Sequence, residues 1–97
     1  MERNEEVVLL EMSIEEYGKI EERIKSNAET AEEFNVFNKQ ALEWIQMQGV
    51  ENVGSAMQVQ SQIIRLSDYS DQQHIALAEI KRQHMSAKIE LAELNKK

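Results

Sequence analysis

Hydrophobic residues are spaced most regularly in the C-terminal half of the chain, where two series of positions repeat every seven residues. The first series is Ala56, Ile63, Ser70, Leu77, His84 and Leu91, and the second is Val59, Leu66, Gln73, Ile80, Ala87 and Leu94. Nine of these twelve residues are apolar. A repeat of about 3.5 residues per turn keeps one stripe of a helix facing a neighbouring helix. The pattern therefore predicts a long second helix, over about 55–95, that packs through these twelve positions, which we call the seam.

The first half of the chain carries an amphipathic stripe whose apolar members recur three and four residues apart. Its members are Tyr17, Ile20, Ile24, Ala28, Ala31, Phe34, Phe37, Ala41, Trp44 and Ile45. Ser13 and Glu16 have the spacing of a capping box, which predicts a first helix over about 13–48. The apolar run 7–10 is then a helical lead-in or a segment docked on the helices. The polar stretch 26–30 leaves two alternatives, one long helix or two helices broken near Asn27. We favour the single long helix.

A turn separates the two helices. Gly49 and Gly54 bracket residues 49–54, and glycine just past a periodic segment is the expected helix stop. Ser55 is suited to cap the next helix. A loop this short joins antiparallel neighbours. The sequence thus predicts a single all-α domain over 1–97, a long antiparallel helical hairpin with coiled-coil character.

Three polar residues interrupt the seam, namely Ser70, Gln73 and His84. Polar residues at such positions trade stability for a defined register or partner, and a local weakness without function is the alternative for Ser70 and Gln73. For His84, a pH-sensitive contact is the second interpretation, because histidine titrates near neutrality. His74 and His84 are ten residues apart, too far to share one metal ion within the chain. We expect neither a metal nor a cofactor.

Composition restricts the classes of function. Net charge is −7, and residues 1–50 carry all of the excess negative charge. This distribution argues against direct binding of nucleic acid, which requires a basic surface. The longest unbroken apolar run, residues 7–10, is far too short to span a membrane. The N-terminus has neither the basic start nor the long apolar stretch of a cleaved signal, and cysteine is absent, so we expect a cytoplasmic protein or, alternatively, one exported without a cleaved signal.

Three groups of residues are candidate contact surfaces for a partner. The seam contributes Ile63, Leu66, Leu77, Ile80, His84, Leu91 and Leu94; a turn cluster contains Trp44, Met47, Val50, Val53 and Met57; and an acidic face contains Glu22, Glu29, Glu32 and Glu33. The turn cluster either plugs the end of the hairpin core or, if exposed, is a recognition surface of adaptable Met and Trp contacts. The acidic face is either a solvated helix surface or a docking site for a basic partner.

The layout resembles the Trp-x-Gly family of small helical hairpins that specialised secretion systems export. In this chain the central stretch reads Trp44-Ile45-Gln46-Met47-Gln48-Gly49 in place of Trp-x-Gly. The resemblance therefore covers the size and layout of the chain and not the motif, and membership does not follow from it. Small helical chaperones of secretion systems and small phage-encoded inhibitors share the same generic layout.

The sequence contains no phosphate-binding glycine loop, serine elbow or ligand cluster, so we expect no enzyme. Two long helices alone bury one stripe each, and such chains gain further burial by oligomerising or by binding a partner. The leading hypothesis is a homodimeric bundle that serves as an adaptor, chaperone or assembly factor through helix–helix packing with a protein partner. The alternative is a small acidic inhibitor that occupies the nucleic-acid-binding groove of a target protein by charge mimicry.

Overall fold

The computed structural model describes residues 4–49 and 53–96. It consists of two long α-helices packed side by side, α1 (Glu5–Met47) and α2 (Val53–Asn95). The molecule measures 75 × 16 × 14 Å, so the helices run along its whole length. In the described ranges there is no strand. The all-α helical hairpin predicted from the sequence is confirmed.

The first helix begins earlier than its capping pattern suggested. The Asn4 side chain is the N-cap and accepts a hydrogen bond of 2.9 Å from the backbone N–H of Glu6, which satisfies one of the orphan donors of the first turn. Glu5 and Glu6 add negative charge at the positive end of the helix. The apolar run 7–10 is therefore part of α1, which starts eight residues before Ser13.

The first helix also continues without a break through the polar stretch 26–30, so the one-helix alternative is the one observed. Thr30 lies inside this helix. Its hydroxyl donates to the backbone carbonyl of Ser26 at 2.9 Å, which lets a polar residue remain inside a helix.

The first helix ends at Met47, just before Gly49. The backbone N–H groups of Gln48 and Gly49 donate to the carbonyls of Ile45 and Gln46, and Gly49 adopts a φ of 98°, a conformation that glycine reaches without a Cβ clash. Val50, Glu51 and Asn52 lie outside the described residues. Because α2 begins at Val53, Gly54 and Ser55 belong to its first turn and not to the linker.

The seam of α2 lies against α1 of the same chain. All twelve seam positions are buried or half-buried, and the only further α2 residue that is not exposed is Ala76. The facing residues of α1 also repeat every seven positions, in two series. They are Val7, Ile14, Glu21, Ala28, Asn35 and Leu42, and Leu10, Tyr17, Ile24, Ala31, Asn38 and Ile45, all buried or half-buried.

This register differs from the predicted α1 stripe after Ala31. Asn35 and Asn38 are buried, whereas the neighbouring Phe34 and Phe37 are exposed. The aromatic residues lie one position to the side of the line that faces α2, so they do not enter the hairpin core.

The hydrophobic core between the two helices contains few buried residues. The buried apolar residues are Ala28, Ala31 and Ala87, and in the described ranges no large side chain is fully buried. Two helices cover only one stripe of each other, so most large apolar side chains stay half-buried or exposed. Burial within one chain is therefore small for a protein of this length.

Replacing Gly18 by alanine is expected to stabilise α1. A Cβ added there would meet only the Cε1 atom of His84, at 4.0 Å, an ordinary van der Waals distance. Since glycine inside a helix costs roughly 0.5–1 kcal/mol relative to alanine, we expect Gly18→Ala to raise the free energy of unfolding by about that amount. Thermal and urea melts measure the change, and a destabilised variant would mean that α1 and α2 lie closer at this point than the structure places them.

Candidate interaction surface

Charge is distributed very unevenly along the hairpin. The continuous segment 34–67, which forms the half next to the turn, carries only the charged residues Lys39, Glu43, Glu51 and Arg65, against 11 Lys and Arg and 18 Asp and Glu in the whole chain. We call the described part of this segment, residues 34–49 and 53–67, the tip half, and residues 4–33 and 68–96 the open half. The tip half is thus nearly free of charge and the open half contains almost all of it.

The same tip half exposes many large apolar side chains. They are Phe34, Val36, Phe37, Trp44, Met47, Val53, Met57 and Ile64. Depletion of charge together with exposed Phe, Trp and Met is the composition of the core of a protein–protein interface. Apolar side chains that share one exposed surface on a small protein mark a contact site, and the aromatic residues of α1 meet this condition through their spacing.

Four residues of the tip half form an ordered line along α1, which we call the aromatic stripe: Phe34, Phe37, Ala41 and Trp44. Their spacing of three, four and three residues keeps them on one side of the helix. The three aromatic side chains are 59%, 64% and 64% exposed, respectively. Phe34 and Phe37 border an open groove whose other walls are Asn38 of α1 and Gln62, Arg65 and Leu66 of α2.

The turn cluster is exposed and does not plug the core. Met47 is 83% exposed, and Trp44, Val53 and Met57 are also exposed. Val53 and Met57 border a second open groove, which we call the tip groove, together with Ile45, Gln46, Gly49, Ala56 and Gln60. Trp44 belongs to the aromatic stripe and is not among the residues that line the tip groove. Val50, the remaining member of the predicted cluster, lies outside the described residues.

A polar layer replaces apolar packing behind the aromatic stripe. The amide Nδ2 of Asn35 donates to the carbonyl of Ile63 at 3.1 Å and to the hydroxyl of Ser67 at 3.0 Å. Its Oδ1 atom is buried without a hydrogen-bond partner among the described residues. Buried amides of this type fix the register of paired helices at a cost in stability.

A second polar contact joins the helices one turn further from the tip. The carboxylate of Glu32 accepts a hydrogen bond of 3.1 Å from the Ser70 hydroxyl and lies 2.8 Å from Nε2 of His74. The hydrogen bond from His74, followed by that from Ser70, lowers the pKa of Glu32 below its ordinary 4.5. Of the predicted acidic face, Glu32 therefore binds α2, while Glu22, Glu29 and Glu33 remain exposed on α1.

The Glu32 contact predicts a specific pH dependence. Because the carboxyl pKa is lower in the folded state, the contact stabilises the hairpin above pH 4.5 and loses its effect as pH falls through the folded value. At neutral pH we expect the wild-type protein to have a higher melting temperature than the Glu32→Gln variant. In acid the two melting temperatures should become equal. Glu29→Gln, an exposed glutamate of the same helix, is the control. A gap that persists in acid would show that ionisation of Glu32 is not its source.

His84, the seam histidine, lies inside the hairpin. Its Nδ1 atom is 2.7 Å from a carboxylate oxygen of Glu21, and the two side chains are only 13% and 22% exposed. The Tyr17 ring lies 6.1 Å away, centroid to centroid. Its Nε2 atom is buried and has no partner among the described residues. The histidine thus contacts α1 of its own chain, and His74 lies in a separate contact with Glu32.

Two further features are absent from the described residues, namely a metal-binding cluster and a membrane-spanning helix. Across residues 4–49 and 53–96, no three His, Asp or Glu side chains gather closely enough to hold a metal ion. Neither described helix includes a segment apolar enough to cross a membrane. No protein-family model, curated protein or solved structure matches the chain.

Proposed function

We propose that this protein is a non-enzymatic protein-binding module that acts by helix–helix packing through its tip half. The observation that carries the proposal is the coincidence, in one half of the hairpin, of missing charge with exposed Phe, Trp and Met side chains. Interfaces draw most of their affinity from a few such side chains at a desolvated centre. An adaptor, chaperone or assembly factor requires a surface of this type and no catalytic site.

The seam contributes to this function indirectly. Because α1 covers it, its residues hold the hairpin together and present the tip half at one end of a rod 75 Å long. The aromatic stripe and the tip groove remain accessible to other molecules. The acidic open half then steers encounters towards basic surfaces, an effect that acts on the rate of association more than on affinity.

Affinity capture from an extract of the source organism tests the proposal. The matched baits are wild type, a stripe variant (Phe34→Gln with Phe37→Gln), a groove variant (Val53→Gln with Met57→Gln) and a control variant (Ile75→Gln with Ile89→Gln). The control changes two exposed isoleucines of the open half. We expect specific partners to be lost from the stripe or groove variant and kept by the control. Equal capture by all four baits would contradict the proposal.

The charge-mimicking inhibitor is the second candidate, favoured by the exposed glutamates of α1. Glu22, Glu29 and Glu33 project from the open half, where they are free to meet a basic groove on a target. Such binding would weaken steeply with salt, because exposed charges are screened. The Glu22→Lys, Glu29→Lys and Glu33→Lys triple variant would abolish it, whereas binding through the tip half would tolerate both salt and the triple change.

A further inference from the structure

We infer that the aromatic stripe is covered by a second copy of the same chain, with the two α1 helices antiparallel and in contact over the tip half. The inference rests on the proposed function, since it assigns one of the two binding surfaces of the tip half. It leaves the tip groove for a different partner.

The first argument is the spacing of the stripe. Phe34 and Trp44 lie five residues on either side of Lys39, and Phe37 and Ala41 lie two residues on either side. A two-fold axis next to position 39 therefore sets Phe34 against Trp44 of the other copy, and Phe37 against Ala41. A large side chain then meets a small one at the centre, and aromatic side chains pair at both ends, so the stripe is complementary to itself.

The second argument is electrostatic and selects the antiparallel orientation. Within the described part of the tip half, α1 carries only Lys39 and Glu43. An antiparallel overlap limited to this part directs the two acidic segments 5–33 away from each other. A parallel arrangement would instead place those segments side by side, where their like charges repel.

The third argument is area. A large aromatic side chain buries roughly 150–250 Å² when it is covered, so the three exposed aromatic residues offer on the order of 300–450 Å² per copy. The stripes of two copies therefore bury roughly 600–900 Å². The exposed Gln62 and Arg65 at the groove add to this area, which places the interface at or below the lower end of specific interfaces, about 1,200 Å² in total. This size predicts a reversible dimer that dissociates on dilution.

Solution mass over a concentration series tests the inference, measured by light scattering on wild type, the stripe variant and the control variant defined above. We expect wild type and control to shift from monomer to dimer with rising concentration. The stripe variant should dimerise at least about tenfold more weakly, since it loses two apolar anchors. Its helical content and melting temperature serve as the check that the hairpin still folds.

A wild type that stays monomeric throughout, or a dimer that the stripe variant retains, would overturn the inference. Neither result would overturn the proposed function, which the capture experiment tests separately through partners of different mass.

Disulfide trapping tests the orientation, because the chain contains no cysteine. Thr30 and Gln48 continue the stripe at its two ends, nine residues on either side of Lys39, and changing them leaves the aromatic side chains intact. A mixture of Thr30→Cys and Gln48→Cys chains should oxidise mainly to the mixed dimer. In the antiparallel dimer two copies of position 30 are about 27 Å apart along the helix axis, at 1.5 Å per residue. Predominant homodimers of each variant would show a parallel arrangement and contradict the inference.

Discussion

Ile80→Ala is expected to lower the free energy of unfolding by about 2 kcal/mol, because it removes a branched side chain from the interface between the helices. Ile80 occupies a seam position and is half-buried against α1. The expected loss lies at the low end of the range for core isoleucines, roughly 2–5 kcal/mol, since the side chain is not fully covered. Leu77→Ala, at the preceding seam position, should behave in the same way.

Ile75 provides a matched control on the same helix. It is 71% exposed, so Ile75→Ala removes the same atoms from a site where they are already in water, and the expected change is within about 0.5 kcal/mol. Urea unfolding followed by circular dichroism, with both variants at one protein concentration, measures the difference. Equal losses for Ile80→Ala and Ile75→Ala would mean that the seam does not face α1 in solution.

Ala31→Leu is expected to destabilise the hairpin by about 1–3 kcal/mol through overpacking. Ala31 is only 3% exposed although its side chain is a single methyl group, so the interface with α2 covers it and leaves little room for a larger side chain. A leucine would push the helices apart and loosen the buried neighbours Ala28 and Asn35. Helix propensity is nearly equal for alanine and leucine, so it does not account for a loss of this size.

Ala78→Leu is the control for this second prediction, because Ala78 is exposed on α2 and a larger side chain there projects into water. We expect no loss of stability from it in thermal melts. A stable Ala31→Leu hairpin would show that space exists between the helices at this level, and would contradict the tight packing around Ala31.

The hairpin could be predicted from the sequence because the seam of α2 is regular over six repeats. A helix with apolar residues every seven positions is most stable when that stripe faces the neighbouring helix. The seam positions are buried or half-buried accordingly, and this includes the polar residues Ser70 and His84. The buried positions of the first helix do not follow from residue type. Residue type placed Phe34 and Phe37 in the core, whereas extending the seven-residue repeat from Ala28 and Ala31 leads to Asn35 and Asn38, the residues that are buried.

The scarcity of charge in residues 34–67 can be read from the sequence. The net charges of residues 1–50 and 51–97 do not reveal it, because the boundary at residue 50 falls inside this segment. The exposure of Trp44 could not be predicted from the sequence, because tryptophan occurs both in hydrophobic cores and at protein interfaces. Its position relative to α2 depends on the register of α1, which the buried amides help to set.

The fluorescence of Trp44, the single tryptophan, tests the central claim that the tip half is an exposed surface covered only by another molecule. In dilute solution we predict the red-shifted emission of a water-exposed indole and ready quenching by acrylamide. With rising protein concentration the emission should shift to the blue and quenching should weaken, and the Phe34→Gln with Phe37→Gln variant should not show this change. An indole shielded from quencher even at the lowest concentration, in wild type and variant alike, would place Trp44 in the hairpin core and contradict the account.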